Sequence, residues 1–453
     1  MTNQDIRAAL RAHTLPLRTE DDLDAVLEHM DRADLVLMGE ASHGTRDFYQ
    51  LRANLSRRLV VERGFDAIAV EADWPDALQV SRFVQLGGGD QTADQALSGF
   101  ERFPQWMWRN DEVVDLLYWM RLHNQQERDP VRRIGFFGID LYSLHKSMQA
   151  VVRYLEKADP KAALRARERY SCIDHISMDP QRYGYATVLG LRPDCEEEMV
   201  RQLSELTAQA QRHMVESGGS VPDELFYAQQ NARVARNAES YYRAMFGRRD
   251  ESWNLRDTHM ADTLDALRAH LSARKGSTAK LIVWAHNSHL GDARATEMGW
   301  GGQINLGQLM RERHGADEVY LLGFSTYDGT VTAASEWDAP AELKRVQPAL
   351  PGSIEALLHG LSMQEPLDMA RYLLPIRGRP EVSQALSARW LERAIGVVYR
   401  PDTERVSHYF HADVARQFDG VIHVDRSMAI KPLEASPHWN DQEEVPETYP
   451  SGL

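Results

Sequence analysis

Short runs rich in Val, Ile, Leu and Phe recur along this 453-residue chain, and they constrain its fold more than any other feature. The runs are 35-LVLMG-39, 67-AIAVE-71, 134-IGFFGID-140, 280-KLIVWAHN-287, 319-VYLLGFS-325, 394-AIGVVY-399 and 420-GVIHVD-425. Strands that are apolar on both faces belong in a sheet covered by helices on each side. Between the first two runs, 47-DFYQLRANLSRRLVVERG-64 places Phe48, Leu51, Leu55 and Leu59 at helical spacing, with Gly64 as its stop. That is one βαβ unit. A second runs from 280 to 325, as strand, Gly-rich loop, the helix-like 305-NLGQLMRER-313 and strand. The expected fold class is α/β, a mostly parallel sheet flanked by helices.

The stretch 143–275 reads differently. It has long charged segments with apolar residues at helical spacing, such as 196-EEEMVRQLSELTAQAQRHM-214, and no convincing strand. The expected organisation is therefore an α/β core from 1–142 and 276–453 with a mainly helical insertion at 143–275. The proline-rich 338-DAPAELKRVQPALPGS-353 reads as a surface connection and 436-SPHWNDQEEVPETYP-450 as a loosely held tail.

Composition narrows the function. A hydrophobic fraction of 43% supplies a substantial core, and the net charge of −15 disfavours affinity for nucleic-acid phosphates. No apolar run approaches a membrane span, and the N-terminus lacks a basic-then-apolar signal segment, so the expected location is cytoplasmic. Two cysteines, Cys172 and Cys195, are too few for a disulfide framework and ordinary for a reducing compartment.

Functional groups of α/β sheets gather beyond the C-terminal ends of parallel strands, where loops open into a cleft. The candidate strands end in 39-GEASHG-44, 71-EADW-74, Asp140 and 284-WAHNSHLGD-292. One rim would bring together Glu40, His43, Glu71, Asp140, His286 and His289. A neutral imidazole can take the proton of a water molecule while an adjacent carboxylate fixes its tautomer and favours the imidazolium that forms. His43 with Glu71 or Glu40 meets that need. His286, His289 or Arg52, two turns into the following helix, can supply the positive or hydrogen-bonding groups that a developing oxyanion requires. Asp140 reads as a strand-end turn residue and is left out of the catalytic group.

Familiar motifs are near misses. GEASHG is one residue too long for the G-x-S-x-G elbow, which makes Ser42 a weak nucleophile. The glycines of 299-GWGGQINLG-307 lack the Lys-Ser/Thr of a phosphate loop and read as a mobile loop at the cleft mouth. The pair in 286-HNSH-289, with Glu40, His43 and Glu71, contains ligand types suited to a divalent metal, although there is no HExxH.

The combination of 39-GEASHG-44, Arg52, 71-EADWP-75 and 284-WAHNSH-289 resembles the erythromycin esterase family. The later segments 305–313 and 394–425 are similar to the stand-alone bacterial homologues of that family. The likeness covers roughly 30–430. It implies an α/β core with a helical portion over a deep cleft, and hydrolysis of a macrolide lactone by water activated directly by a histidine, here His43, without a required metal. Glu40, Arg52, Glu71, His286 and His289 match the motif positions around it.

The expectation is thus a carboxylic ester hydrolase acting on a small-molecule ester or macrolactone, with no cofactor and no nucleic-acid or membrane partner; antibiotic resistance goes with the macrolide case. His43 is the base, Glu71 orients it, Glu40 is the second carboxylate, and Arg52, His286 and His289 bind substrate or the oxyanion. Two alternatives stand beside it: a metal-dependent hydrolase using the same Glu/His cluster, and a non-catalytic small-molecule-binding homologue. His408 and Tyr409 are assigned to the core of the last βα unit rather than to the cleft wall.

Overall fold

The computed structural model describes residues 3–174, 179–217, 221–246, 249–363, 370–435 and Trp439. The strands are β1 (Leu15–Pro16), β2 (Leu35–Met38), β3 (Ala67–Asp73), β4 (Gly135–Asp140), β5 (Leu281–Trp284), β6 (Val319–Ala333), β7 (Glu342–Val346), β8 (Arg371–Pro375), β9 (Trp390–Arg393), β10 (Tyr409–Ala412) and β11 (Gly420–Ser427). Nine of them form one sheet in the order β1-β8-β11-β6-β2-β5-β3-β4, with β7 paired to the far end of β6. From β11 to β4 every neighbouring pair is parallel. β8, β1 and β7 add antiparallel edges.

Every residue of β2, β3, β4 and β5 is buried, which explains why these strands read as unbroken apolar runs rather than as alternation. Their side chains still alternate between layers. Val36, Met38, Ile68, Val70, Ile282 and Trp284 pack into one apolar cluster, together with Phe48, Leu55 and Leu59 of the helix Arg46–Arg63. Leu35, Leu37, Ala67, Ala69, Leu281 and Val283 pack into the other, with Leu264 and Leu267 of the helix Arg249–Lys275. The first helix stops where expected: Gly64 is left-handed at φ 69°, and its N–H caps Leu59 O.

The span 143–275 carries helices Leu144–Ala158, Pro160–Asp174, Pro180–Val188, Glu196–Ser217, Asp223–Ala244 and Arg249–Lys275, with no strand among the described residues. A third apolar cluster, including Met148, Leu155, Tyr183, Leu206 and Ala235, lies within it. Cys172 and Cys195 are joined as a disulfide there, where the cysteine count had suggested none.

Two expectations need correction. The run 394–399 is not a strand; Ile395 and Val398 make single bridges to Ser42 and Ala334. Ile395 and Tyr399 pack with Val331, Ala333 and Val346 of β6 and β7, while Val397 and Val398 line a cavity instead of extending a ladder. Residues 338–353 are more than a surface connection, because they include β7, whose Val346 is fully buried. The tail 436–450 lies outside the described residues apart from Trp439, whose indole donates to Thr332 Oγ1 at 2.9 Å. No described helix is long and apolar enough to cross a membrane.

Candidate active site

The turn after β2 is clamped on both flanks. A Cβ on Gly39 would meet Asn287 Oδ1 at 2.1 Å, and one on Gly44 would lie 1.8 Å from Thr332 O in β6, so neither position tolerates a side chain without moving its neighbours. Ile395 secures the middle: its N–H donates to Ala41 O at 2.8 Å, and its carbonyl accepts from His43 N at 3.2 Å. Glu40 and His43 therefore project from rigid backbone.

Within this turn His43 Nδ1 lies 2.9 Å from Glu40 Oε1, and Arg52 Nη2 donates to Glu40 Oε2 at 2.6 Å. Arg52 is 1% exposed, its guanidinium 4.6 Å from the Tyr49 ring and 4.7 Å from the Trp284 ring. It stands behind Glu40 and does not line the cavity, so it holds the carboxylate rather than reaching toward a ligand. The carboxylate on the His43 ring is Glu40, not Glu71. Ser42 is buried, its hydroxyl paired with Thr45 Oγ1, and it too is absent from the cavity wall.

Glu71, near the end of β3, organises the loop after β5. Its Oε2 accepts from the backbone N–H of His286 at 2.9 Å, and its Oε1 accepts from Arg256 Nη2 at 2.6 Å and lies 3.3 Å from His289 Nε2. Burial alone would raise Glu71, but the charges of His289 and Arg256 hold it well below the usual carboxylate range. The rings of His43 and His286 are 4.8 Å apart between centroids. Four of the five expected acid and imidazole groups, His43, Glu71, His286 and His289, thus line a single cavity of about 560 Å³, with Glu40 immediately behind His43.

The protonation of His286 is set by its position as the N-cap of the short helix Asn287–Leu290. Its Nδ1 accepts from Ser288 N at 3.2 Å and lies 2.8 Å from Ser288 Oγ, which leaves the proton on Nε2. Burial, with the nearby His43, keeps this ring well below the ordinary histidine range and so neutral. Nε2 is buried and forms no hydrogen bond of good geometry, although the Ala41 carbonyl lies near enough to the ring to favour its proton.

Sequence reasoning missed three residues on one face of the helix Arg249–Lys275. Trp253 stacks on His289 at 4.6 Å, Arg256 binds Asp140 through Nε and Nη2 at 3.0 and 2.7 Å, and Asp257, fully buried, faces His289 Nδ1 with both oxygens at 2.9 and 3.0 Å. Their spacing of i, i+3 and i+4 was the available signal. Asp140 proves to line the cavity as the partner of Arg256. His289 Nε2 is also 3.0 Å from Arg256 Nη1, so it accepts from the guanidinium when neutral and turns its proton to Glu71 when charged. Burial opposes the charged ring, but Asp257 and Glu71 push it up to about 9.

His408 lines the cavity, contrary to its assignment to the core, while Tyr409 turns away to accept from Leu350 N at 3.1 Å. The Gly-rich segment at 299–307 is tied to the helix behind the site, with Trp253 Nε1 donating to Ile304 O at 2.8 Å and Asn254 Nδ2 to Gly302 O at 3.1 Å. Among the described residues no three His, Cys, Asp or Glu side chains form a group able to hold a metal ion. A Ser-His-Asp string, Ser325 Oγ to His423 Nδ1 at 2.8 Å and His423 Nε2 to Asp425 Oδ1 at 3.2 Å, lies between β6 and β11 with Ser325 and His423 buried.

A family model described as erythromycin esterase matches residues 60–427, a span that contains Glu71, Arg256, Asp257, His286 and His289 and begins after Glu40, His43 and Arg52. Erythromycin esterase type II of Escherichia coli is 22% identical over 429 residues, 90% of this chain and 93% of that protein. The protein named "Putative hydrolase YbfO" of Bacillus subtilis (strain 168) is 22% identical over 448 residues, 93% of this chain and 92% of its own. Among solved structures, a Bacillus cereus protein matches with a TM-score of 0.77 at 19% identity, covering 96% of this chain and 100% of that one. A mutant of the erythromycin esterase EreC in its open conformation matches with a TM-score of 0.63 at 16% identity, covering 92% and 96%. These structural likenesses establish a shared fold.

Proposed function

This chain belongs to the erythromycin esterase family, whose name is that of a hydrolase, and on that premise we propose that it cleaves an ester or lactone by direct attack of a water molecule activated by His43. The observation that carries the reading is the tether of His43 Nδ1 to Glu40 Oε1 at 2.9 Å, with Glu40 held in turn by buried Arg52. A carboxylate on Nδ1 places the ring proton there and leaves Nε2 as the acceptor on a ring that lines the cavity.

In the reaction, water oxygen bonds to the carbonyl carbon as its proton passes to His43 Nε2, and the carbonyl oxygen becomes the oxyanion. His286, neutral with its proton on the buried Nε2, is the donor for that oxygen. Collapse breaks the carbon–oxygen bond to the alcohol, and the His43 imidazolium returns its proton to the departing alkoxide. Glu40 favours the imidazolium in the interval. Glu71 anchors the His286 loop, and His289 adds positive charge on the same side of the cavity. The helical span 143–275 acts as one wall of the cleft, a role supported by Trp253 and Arg256 in its lining.

Macrolide lactones are one candidate substrate class, alongside simpler lactones and aryl esters. Purified protein is to be assayed against all three, with metal content measured and a chelator arm included. Turnover that survives chelation supports the reading. Tight binding with no turnover of any member contradicts it, and activity lost to chelator and restored by metal replaces His43 activation with metal activation.

A further inference from the structure

The cavity contains a carboxylate that hydrolysis itself does not use. Asp73 lies two residues beyond Glu71 on β3, past an irregularity in the ladder with β4, and lines the same cavity. It is 7% exposed; Oδ2 accepts from Arg102 Nη2 at 3.0 Å, while Oδ1 is buried with no partner. Arg102 is half-exposed, with its guanidinium 4.6 Å over the Tyr142 ring. The wall nearby carries the aromatic side chains of Phe100, Phe103 and Trp108 and one more buried carboxylate, Asp76, which is paired with Lys146 at 3.2 Å.

A buried carboxylate oxygen without a donor costs stability, and a bound molecule that brings the donor relieves it. Arg102 already offsets the charge of Asp73, so a neutral donor satisfies the oxygen without importing a second cation. We propose that Asp73 and Arg102 form a specificity subsite that takes a hydroxyl group carried by an otherwise apolar ester or lactone, a short distance from its reacting carbonyl. This rests on the hydrolytic reading above. An analogue lacking the hydroxyl leaves Oδ1 unpaired in the complex, and a site built this way rejects it more strongly than an apolar pocket rejects a missing methylene.

The test uses 4-nitrophenyl esters of straight-chain acids of graded length, each in plain, ω-hydroxy and ω-amino form, with kcat/KM measured for the wild type, Asp73→Ala and Arg102→Leu. At the chain length that reaches the subsite, the wild type is expected to favour the hydroxy ester over the plain one by about ten-fold or more. Asp73→Ala brings that ratio near one while its melting temperature shows it folded. Arg102→Leu, leaving the carboxylate uncompensated, moves the preference to the amino ester. Equal ratios in wild type and Asp73→Ala, or a wild type that prefers the amino ester, overturn the proposal. Should no ester turn over at all, the hydrolytic reading is what fails; the subsite is then read from calorimetric binding of the matching ω-hydroxy and plain alkanamides, where equal affinity overturns it.

Discussion

Asp257 faces His289 Nδ1 with both of its carboxylate oxygens, at 2.9 and 3.0 Å, from a helix that lies outside the βα units supplying the other site residues. Two histidines of the cavity wall are therefore each backed by a buried carboxylate. His43 and Glu40 come from one four-residue turn, whereas His289 and Asp257 join segments 32 residues apart. The second pair also receives Leu306 N on Asp257 Oδ1 at 2.9 Å, which ties it to the helix after the Gly-rich segment.

The Asp257 pairing has a direct titration consequence. His289 is held at about 9, above the ordinary 6.5, so its contribution to stability is present in full below about 6.5 and is lost as pH rises through about 9. In Asp257→Asn, histidine ring NMR is expected to show the His289 midpoint falling by more than one pH unit. An unchanged midpoint would mean that Glu71 alone sets the charge.

His286 is predicted to act as a neutral donor. Its removal in His286→Ala is expected to lower kcat by about 10²–10³-fold, the usual loss for one oxyanion donor, with a smaller change in KM. Because burial keeps the ring neutral, no ionisation of His286 is expected in the wild-type rate profile through the neutral range. A KM effect with kcat unchanged would assign it to ground-state binding.

Glu392 offers a stability prediction away from the site. On β9 it is 4% exposed, its Oε2 has no partner, and burial beside Glu355 pushes it up to about 8 from 4.5. A raised carboxyl stabilises the fold at low pH, and the benefit disappears at about 1.4 kcal/mol per pH unit as pH rises from about 4.5 toward 8. Glu392→Gln is therefore expected to melt above the wild type at pH 8.5, with the gap closing toward pH 5. A gap independent of pH contradicts the assignment.

The parallel centre of the sheet was legible because strands buried on both faces must be apolar throughout, as 35-LVLM-38 and 281-LIVW-284 are. The antiparallel strand β8 went unread, because in 371-RYLLP-375 the apolar core is short and opens with a charged residue. The run 394–399 misled for the opposite reason, since packing against β6 and β7 selects the same residues as burial within a sheet. Within the site, strand ends revealed Glu40, His43, Glu71, His286 and His289, but not which carboxylate meets which ring. Glu40 and His43 are three residues apart in one turn, and that proximity decides the pairing. Arg52 looked like a side chain able to reach a ligand; two flanking aromatic rings turn it to Glu40 instead. Arg256 and Asp257 were hidden in a long helix whose many charges look solvated.

The central claim is that His43 takes the proton from the attacking water. Its most direct measurement is the hydrolysis rate of His43→Ala at saturating concentration of an ester the wild type accepts, with circular dichroism and melting temperature recorded on the same sample. A loss of about 10²–10⁴-fold in kcat by a folded variant is predicted. Wild-type turnover in that variant would contradict the account.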